Sequence, residues 1–231
     1  MSTGSLAIIP ARGGSKRIPR KNIKDFLGVP IIVYSIKAAL ESKLFDVVMV
    51  STDDAEIAAL AKEAGAEVPF MRSAENSNDQ AGTTAVLLEV LDEYAKQGRT
   101  FSYGCCIYPC APFVSPELLK SAFTKSESEQ LDFVFPVVKY STPIQRAFKI
   151  ENGIIKMFHP EYLSTRSQDL EPAYFDAGQF YFFNVDALRR EGKMLTDRTS
   201  AIVIDEQYAQ DIDNEEDWRT AEIKYKINKG L

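Results

Sequence analysis

Two clusters of charged residues, near opposite ends of the chain, have the types and spacing that phosphate chemistry needs. The first is Arg12-Gly13-Gly14-Ser15-Lys16-Arg17-Ile18-Pro19-Arg20-Lys21-Asn22-Ile23-Lys24, which holds six bases and is followed by the first acid, Asp25. Gly13 and Gly14 remove side chains where a backbone must approach something closely or take a positive φ. Successive N–H groups in such a turn make a concavity for anions, and the surrounding bases add positive charge. The second cluster is acidic: Asp205, Glu206, Asp211, Asp213, Glu215, Glu216 and Asp217, with no base until Arg219. Asp211 and Asp213 flank Ile212, so in an extended segment their carboxylates point the same way. Two aligned carboxylates suit one hard cation that also takes phosphate oxygens and waters. Helix capping accounts for Asp213 but leaves Asp211 unexplained.

The elements that position these clusters follow from the hydrophobic pattern. Leu6 to Ile9 read as a buried strand that Pro10 stops, so the basic loop begins at a strand's carboxyl end. Phe26-Leu27-Gly28-Val29-Pro30 reads as a turn, with Pro30 in the first turn of a helix through Ile32, Ile36, Ala39 and Leu40. Val47 to Val50 form a second strand, ending in Ser51-Thr52-Asp53-Asp54, which caps a helix through Ala64 that Gly65 stops. This alternation predicts an α/β fold with a mostly parallel sheet, helices on both faces, and ligands beyond the strands' carboxyl ends. After the polar stretch Ser73 to Gly82 comes a helix from Thr83. Cys105 to Tyr108 make a third strand, and Ser115-Pro116 cap the next helix. Phe133 to Val138 make a fourth strand. Phe148 to Phe158 alternate around Asn152-Gly153, the signature of a hairpin. Asp176 to Asn184 read as one aromatic strand with Gln179 and Tyr181 on one face and Phe180 and Phe182 on the other. Ile202 to Ile204 form a last strand, and Asp213 or Asn214 caps a final helix carrying Trp218.

The spacing excludes two familiar phosphate loops. The dinucleotide fingerprint needs three glycines, and the Walker loop ends Gly-Lys-Ser/Thr, whereas here Ser15 precedes Lys16. A solvated basic turn stays open on composition alone. At 231 residues with 45% hydrophobic and 26% charged, the chain fits one domain with a small appendage. No apolar stretch is long enough for a membrane span or a signal-peptide core, so a cytoplasmic location is expected. The net charge of −6 hides an asymmetry, because residues beyond 24 carry 21 bases against 33 acids. That balance argues against a nucleic-acid partner. Cys105, Cys106 and Cys110 lack metal or disulfide spacing and lie far from His159, the only histidine, so they read as small residues packed on a buried strand.

Residues 8–24 resemble the signature of the CMP-sialic acid synthetase family, the cytidylyltransferases that activate nine-carbon acidic sugars. Within that family, Tyr140 to Phe148, Thr165 to Leu170 and Asp176 to Tyr181 are most similar to the branch that acts on pseudaminic acid. The resemblance implies a Rossmann-like nucleotidyltransferase sheet and a reaction joining CMP from CTP to the sugar's anomeric hydroxyl, with release of pyrophosphate, for surface-glycan or flagellin glycosylation. It implies that Ala11, Arg12, Gly13, Gly14, Ser15, Lys16 and Asn22 hold the nucleotide's phosphates, and that Arg72 and Thr83 line a cytosine pocket. Arg12 and Lys21 would assist catalysis, and Asp211 and Asp213 would bind magnesium. Tyr108, Arg166, Gln179 and Tyr181 would meet the sugar. An excursion at about 140–174 would make a homodimer and carry Arg166 toward the partner's site. The family's Gln-Pro-Thr-Ser-Pro pattern is changed here, with Tyr108 and Cys110 for Gln and Thr, which favours a relative of N-acetylneuraminic acid over that sugar itself. N-acetylneuraminic, legionaminic and 3-deoxy-manno-octulosonic acids stay open, as does a nucleotide-binding regulator without chemistry.

Overall fold

The computed structural model describes residues 4–78 and 81–230, so Asp79 and Gln80 of the polar stretch lie outside the described residues. The elements are β1 (Gly4–Pro10), β2 (Asp25–Phe26), β3 (Val29–Pro30), α1 (Ile32–Ser42), β4 (Val47–Ser51), α2 (Ala55–Glu63) and α3 (Thr83–Lys96). There follow β5 (Phe101–Ile107), α4 (Pro116–Ser128), β6 (Phe133–Lys139), β7 (Phe148–Glu151), β8 (Ile154–Met157) and β9 (Tyr174–Asp176). The chain ends with β10 (Phe180–Asn184), α5 (Val185–Glu191), β11 (Thr199–Ile204) and α6 (Glu215–Lys229).

The main sheet runs β11-β6-β10-β5-β1-β4, with β9 also on β6. β1 pairs parallel with β4 and β5, and β11 pairs parallel with β6, while β10 runs antiparallel to both β5 and β6. Five strands therefore point one way, and the expected mostly parallel sheet is present. The reversal of β10 brings its amino end to the edge where β1, β4 and β5 finish, so the loops of six segments converge there.

Alternation along each strand sorts side chains between two cores. Ala7, Ile9, Val48, Val50, Cys105 and Phe182 pack under α1, α2 and α4. Leu6, Ile8, Met49, Cys106, Tyr181 and Phe183 pack under α3 and α5. A third cluster seats Trp218 and Ala221 of α6 against Ile18, Phe26 and Ile31, pinning the far end of the basic loop. Burying these fully enclosed aliphatic and aromatic side chains stabilises the scaffold by roughly 1.5–3 kcal/mol each. Gly104 in β5 is required by packing, since a Cβ there would lie 2.2 Å from Phe183 Cζ.

β1 ends at Pro10, as expected. Three details differ from the sequence expectation. Pro30 belongs to the short β2–β3 ribbon, and the helix begins after Ile31. The segment 176–184 is two strands, because Gly178 adopts a left-handed φ of 63° and its N–H turns back to Asp176 Oδ1 at 2.8 Å. The helix α5, capped by Asn184 through a bond from Ala187 N at 2.9 Å, follows β10 directly without the turn residues that would announce it. The hairpin β7–β8 is as expected, with Asn152 and Gly153 both at positive φ.

Candidate active site

A cleft of about 630 Å³ opens at the convergent edge of the sheet. Its walls include Arg12, Ser15, Lys16, Lys21, Asn22, Arg72, Thr83, Tyr108 and Asp211, so nine expected site residues share one cavity. The basic loop and the acidic segment, separated by about 190 positions in sequence, face each other across it. Lys21 Nζ donates to Ile212 O at 2.7 Å, directly between Asp211 and Asp213.

The loop is braced from below. Ala11 N donates to Ser51 O at 2.9 Å, and Gly13 N to Asp53 Oδ1 at 3.0 Å. Ser15 N bonds Gly13 O at 3.1 Å, and Asn22 Nδ2 bonds Arg12 O at 2.9 Å. The sequence suggested that backbone N–H groups all along this turn would face an anion. Those of Ala11, Gly13 and Ser15 instead bond the protein, which leaves Arg12, Ser15, Lys16 and Lys21 side chains as the main lining. Gly13 is dictated by close approach, for a Cβ there would meet Asp54 Oδ2 at 2.6 Å, while one at Gly14 would meet nothing within 4 Å among the described residues beyond its chain neighbours.

Arg72 forms the deepest cationic wall. It is buried, with Nε on Ser51 Oγ at 3.0 Å and a further guanidinium bond to Ser51 O. Burial pushes its pKa below the usual arginine value, opposed by Asp53 and Glu89. Thr83, first residue of α3, places its hydroxyl 3.3 Å from the Tyr108 hydroxyl. Tyr108 lies with its ring 5.4 Å from Tyr181, whose hydroxyl donates to Asp176 Oδ2 at 2.8 Å. Burial raises both phenols' pKa values, so both stay protonated donors at neutral pH.

Asp211 and Asp213 behave as a pair. Crowding of the Asp211 carboxyl by surrounding protein and the charge of Asp213 push its pKa above the usual carboxylate value, with Lys21 and Arg17 pulling the other way. Asp213 is held by Arg17 at 2.7 Å, and Asn214, not Asp213, caps α6 through a capping box with Asp217. Mutual repulsion of two carboxylates is what a divalent cation relieves. Among the described residues no three ligating side chains gather, so such a cation would draw its remaining ligands from phosphate oxygens and water.

Two expected sugar contacts lie elsewhere. Gln179 is 2% exposed and its Nε2 donates to Tyr208 O at 2.5 Å, so its amide points into the protein. Arg166 stands in the excursion between β8 and β9, ion-paired with Asp169 at 2.8 Å, and does not line the cleft of its own chain. Cys110, read as a packing residue, lines the cleft, with Sγ 3.4 Å from Asn22 Oδ1. Burial pushes its thiol up to about 12, which excludes a thiolate nucleophile at neutral pH. Asn76 and Asn78 also line the cleft, and only their place in a polar stretch hinted at it.

A basic loop at the end of the first strand of an open α/β sheet, with Asp211 opposite, has the makings of a nucleotidyltransferase-type site. The cytidylyltransferase family model matches residues 6–215. The chain belongs to the cytidylyltransferase family and is a CTP-dependent nucleotidyltransferase. It is 44% identical to the pseudaminic acid cytidylyltransferase of Campylobacter jejuni over 97% of both chains. It is 34% identical to the N-acylneuraminate cytidylyltransferase A of Danio rerio over 94% of this chain and 49% of that protein. In fold it is similar to a CMP:2-keto-3-deoxy-manno-octonic acid synthetase solved with CTP, at a TM-score of 0.70 and 16% identity, covering 99% of this chain and 100% of the other.

Proposed function

We propose that this chain joins CMP from CTP to the anomeric hydroxyl of pseudaminic acid and releases pyrophosphate. The observation that carries the reading is the cleft in which the loop 12–21 faces Asp211, bridged by Lys21. The 44% identity to a pseudaminic acid enzyme across almost the whole chain supports the choice of sugar.

In this reading the sugar's anomeric oxygen attacks the α-phosphorus in line. The new oxygen–phosphorus bond forms as the bond to the bridging pyrophosphate oxygen breaks, and the hydroxyl proton leaves to solvent. Such a transition state needs positioning and positive charge more than covalent help. Arg12, Ser15, Lys16 and Lys21 hold the triphosphate, and Asn22 keeps the Arg12 carbonyl turned away from it. Arg72 and Thr83 meet the pyrimidine edge at the inner end of the cleft. Tyr108, which lines the cleft, offers its hydroxyl to the sugar, while Tyr181 packs against the Tyr108 ring with its own hydroxyl given to Asp176. Asp211 and Asp213 would hold magnesium, which when bound neutralises charge on the phosphates and the attacking oxygen.

Dimerisation belongs to the same reading. On one face of the hairpin β7–β8, Phe148, Ile150 and Ile155 are all at least 60% exposed, an apolar patch that a second copy would cover. Arg166 on the same excursion would then reach the other subunit's sugar. The test is pyrophosphate release from CTP with pseudaminic acid against N-acetylneuraminic acid. Preference of at least tenfold for pseudaminic acid is the expected result, and equal turnover of the two would overturn the assignment of the sugar.

A further inference from the structure

We infer that Arg20 and Asp54 are positioning residues that set the shape of the phosphate loop without touching the nucleotide. Arg20 has φ 54° and ψ 31°, a left-handed conformation disfavoured for a residue with a Cβ. Its guanidinium fork holds both oxygens of Asp54, the second at 3.1 Å, and also reaches Glu56. That fork compensates the unfavourable backbone, and the backbone in turn directs the next residue, Lys21, across the cleft to Ile212 O.

Asp54 is fixed from three sides. Its Oδ1 caps α2 by accepting from Glu56 N at 2.9 Å and Ile57 N at 3.0 Å. Arg20 holds it from the second side, and Gly13 packs against it from the third, with no room for a Cβ. Asp53, beside it, receives the Gly13 N–H. The start of α2 is thus the template on which both limbs of the loop are laid, Gly13 on one and Arg20 on the other. The Arg20 and Asp54 side chains are 39% and 20% exposed, and neither lines the cleft, so any influence on nucleotide binding must pass through the loop.

The inference rests on the assignment of CTP to the cleft, and the experiment separates the two. CTP binding is measured by calorimetry, with magnesium and without sugar, for the unaltered chain, Arg20→Gly, Asp54→Ser and the double variant. Glycine permits the left-handed backbone but no longer holds the chain in it, and serine keeps a helix cap, so each substitution removes the ion pair while sparing the fold. Each single variant is expected to weaken CTP binding about tenfold, and the double variant no more than either single, because all remove one interaction. Arg20→Lys, which keeps the charge without the fork, is expected to fall between Arg20→Gly and the unaltered chain and serves if the glycine variant unfolds. Unchanged CTP affinity in the single variants, or multiplicative losses in the double, would overturn the inference while leaving the nucleotide site intact. Failure of the unaltered chain to bind CTP would overturn the nucleotide reading and this inference together.

Discussion

Replacing Gly13 by alanine asks whether the loop is seated on Asp54. Ordinary van der Waals contact of a Cβ begins near 3.4 Å, and the alanine Cβ would lie 2.6 Å from Asp54 Oδ2. The shortfall is about 0.8 Å, and Asp54 cannot yield it without leaving the cap of α2 or the Arg20 fork. The loop must therefore move, stretching the Gly13–Asp53 bond. Overpacking of this kind costs about 1–3 kcal/mol. For a chain of this length that corresponds to a fall in Tm of roughly 2–12 °C. A displacement approaching 1 Å at groups that align reacting atoms lowers kcat/KM by up to about a hundredfold. Gly14→Ala is the control, because among the described residues beyond its chain neighbours no atom lies within 4 Å of its Cβ, and Tm should stay within about 1 °C of the unaltered value. Thermal unfolding followed by circular dichroism and pyrophosphate release with CTP varied would read both effects. A Gly13→Ala protein with the original Tm and original CTP dependence would refute the seating of the loop.

Asp211→Asn should abolish pyrophosphate release with the fold intact by circular dichroism. Because the folded-state pKa of Asp211 is raised, its contribution to stability is present below the unfolded pKa and lost as pH rises through the folded one, so this variant without ligands should melt higher than the parent at pH 7. An unchanged or lower Tm at pH 7 would contradict that sign. Lys21→Ala should lower turnover at least a hundredfold while shifting Tm by only a few degrees, since one bond to Ile212 O is lost at the cleft. Turnover equal to the parent would remove Lys21 from the reaction. Ile150→Glu with Ile155→Glu should convert a dimer to monomers in light scattering, and a species of unchanged mass would exclude the hairpin as the interface.

Much of the scaffold was legible because its causes are local. Strands such as Val47–Ser51 are buried on both faces and therefore read as unbroken apolar runs, and Asp54, Ser115 and Asn214 cap helices within three residues of themselves. The phosphate loop was legible for the same reason, its glycines and bases being adjacent. The brace beneath it was not, because Gly13–Asp53 and Arg20–Asp54 join positions 40 and 34 residues apart and nothing at either position alone names the other. Gln179 illustrates a different limit. Strand alternation put it on a face with Tyr181, but Gln179 lies before β10 begins, and a polar residue there can serve a ligand or a backbone carbonyl; its amide donates to Tyr208 O. The break at Gly178 escaped notice because aromatic residues on both sides favour extended backbone equally.

The antiparallel return of β9 onto β6 has a consequence for how such a protein can change over time. β6 leaves the sheet at Lys139 and β9 rejoins it at Tyr174, the two residues being register partners, with Tyr140 N bonded to Ala173 O at 2.9 Å. The intervening segment therefore departs and returns through one narrow neck. A segment held by such a neck can lengthen, shorten or be exchanged between lineages without disturbing a single pairing of the sheet. The phosphate loop, built on β1 and β4, is inherited with the scaffold, whereas the segment 140–173 can vary around it.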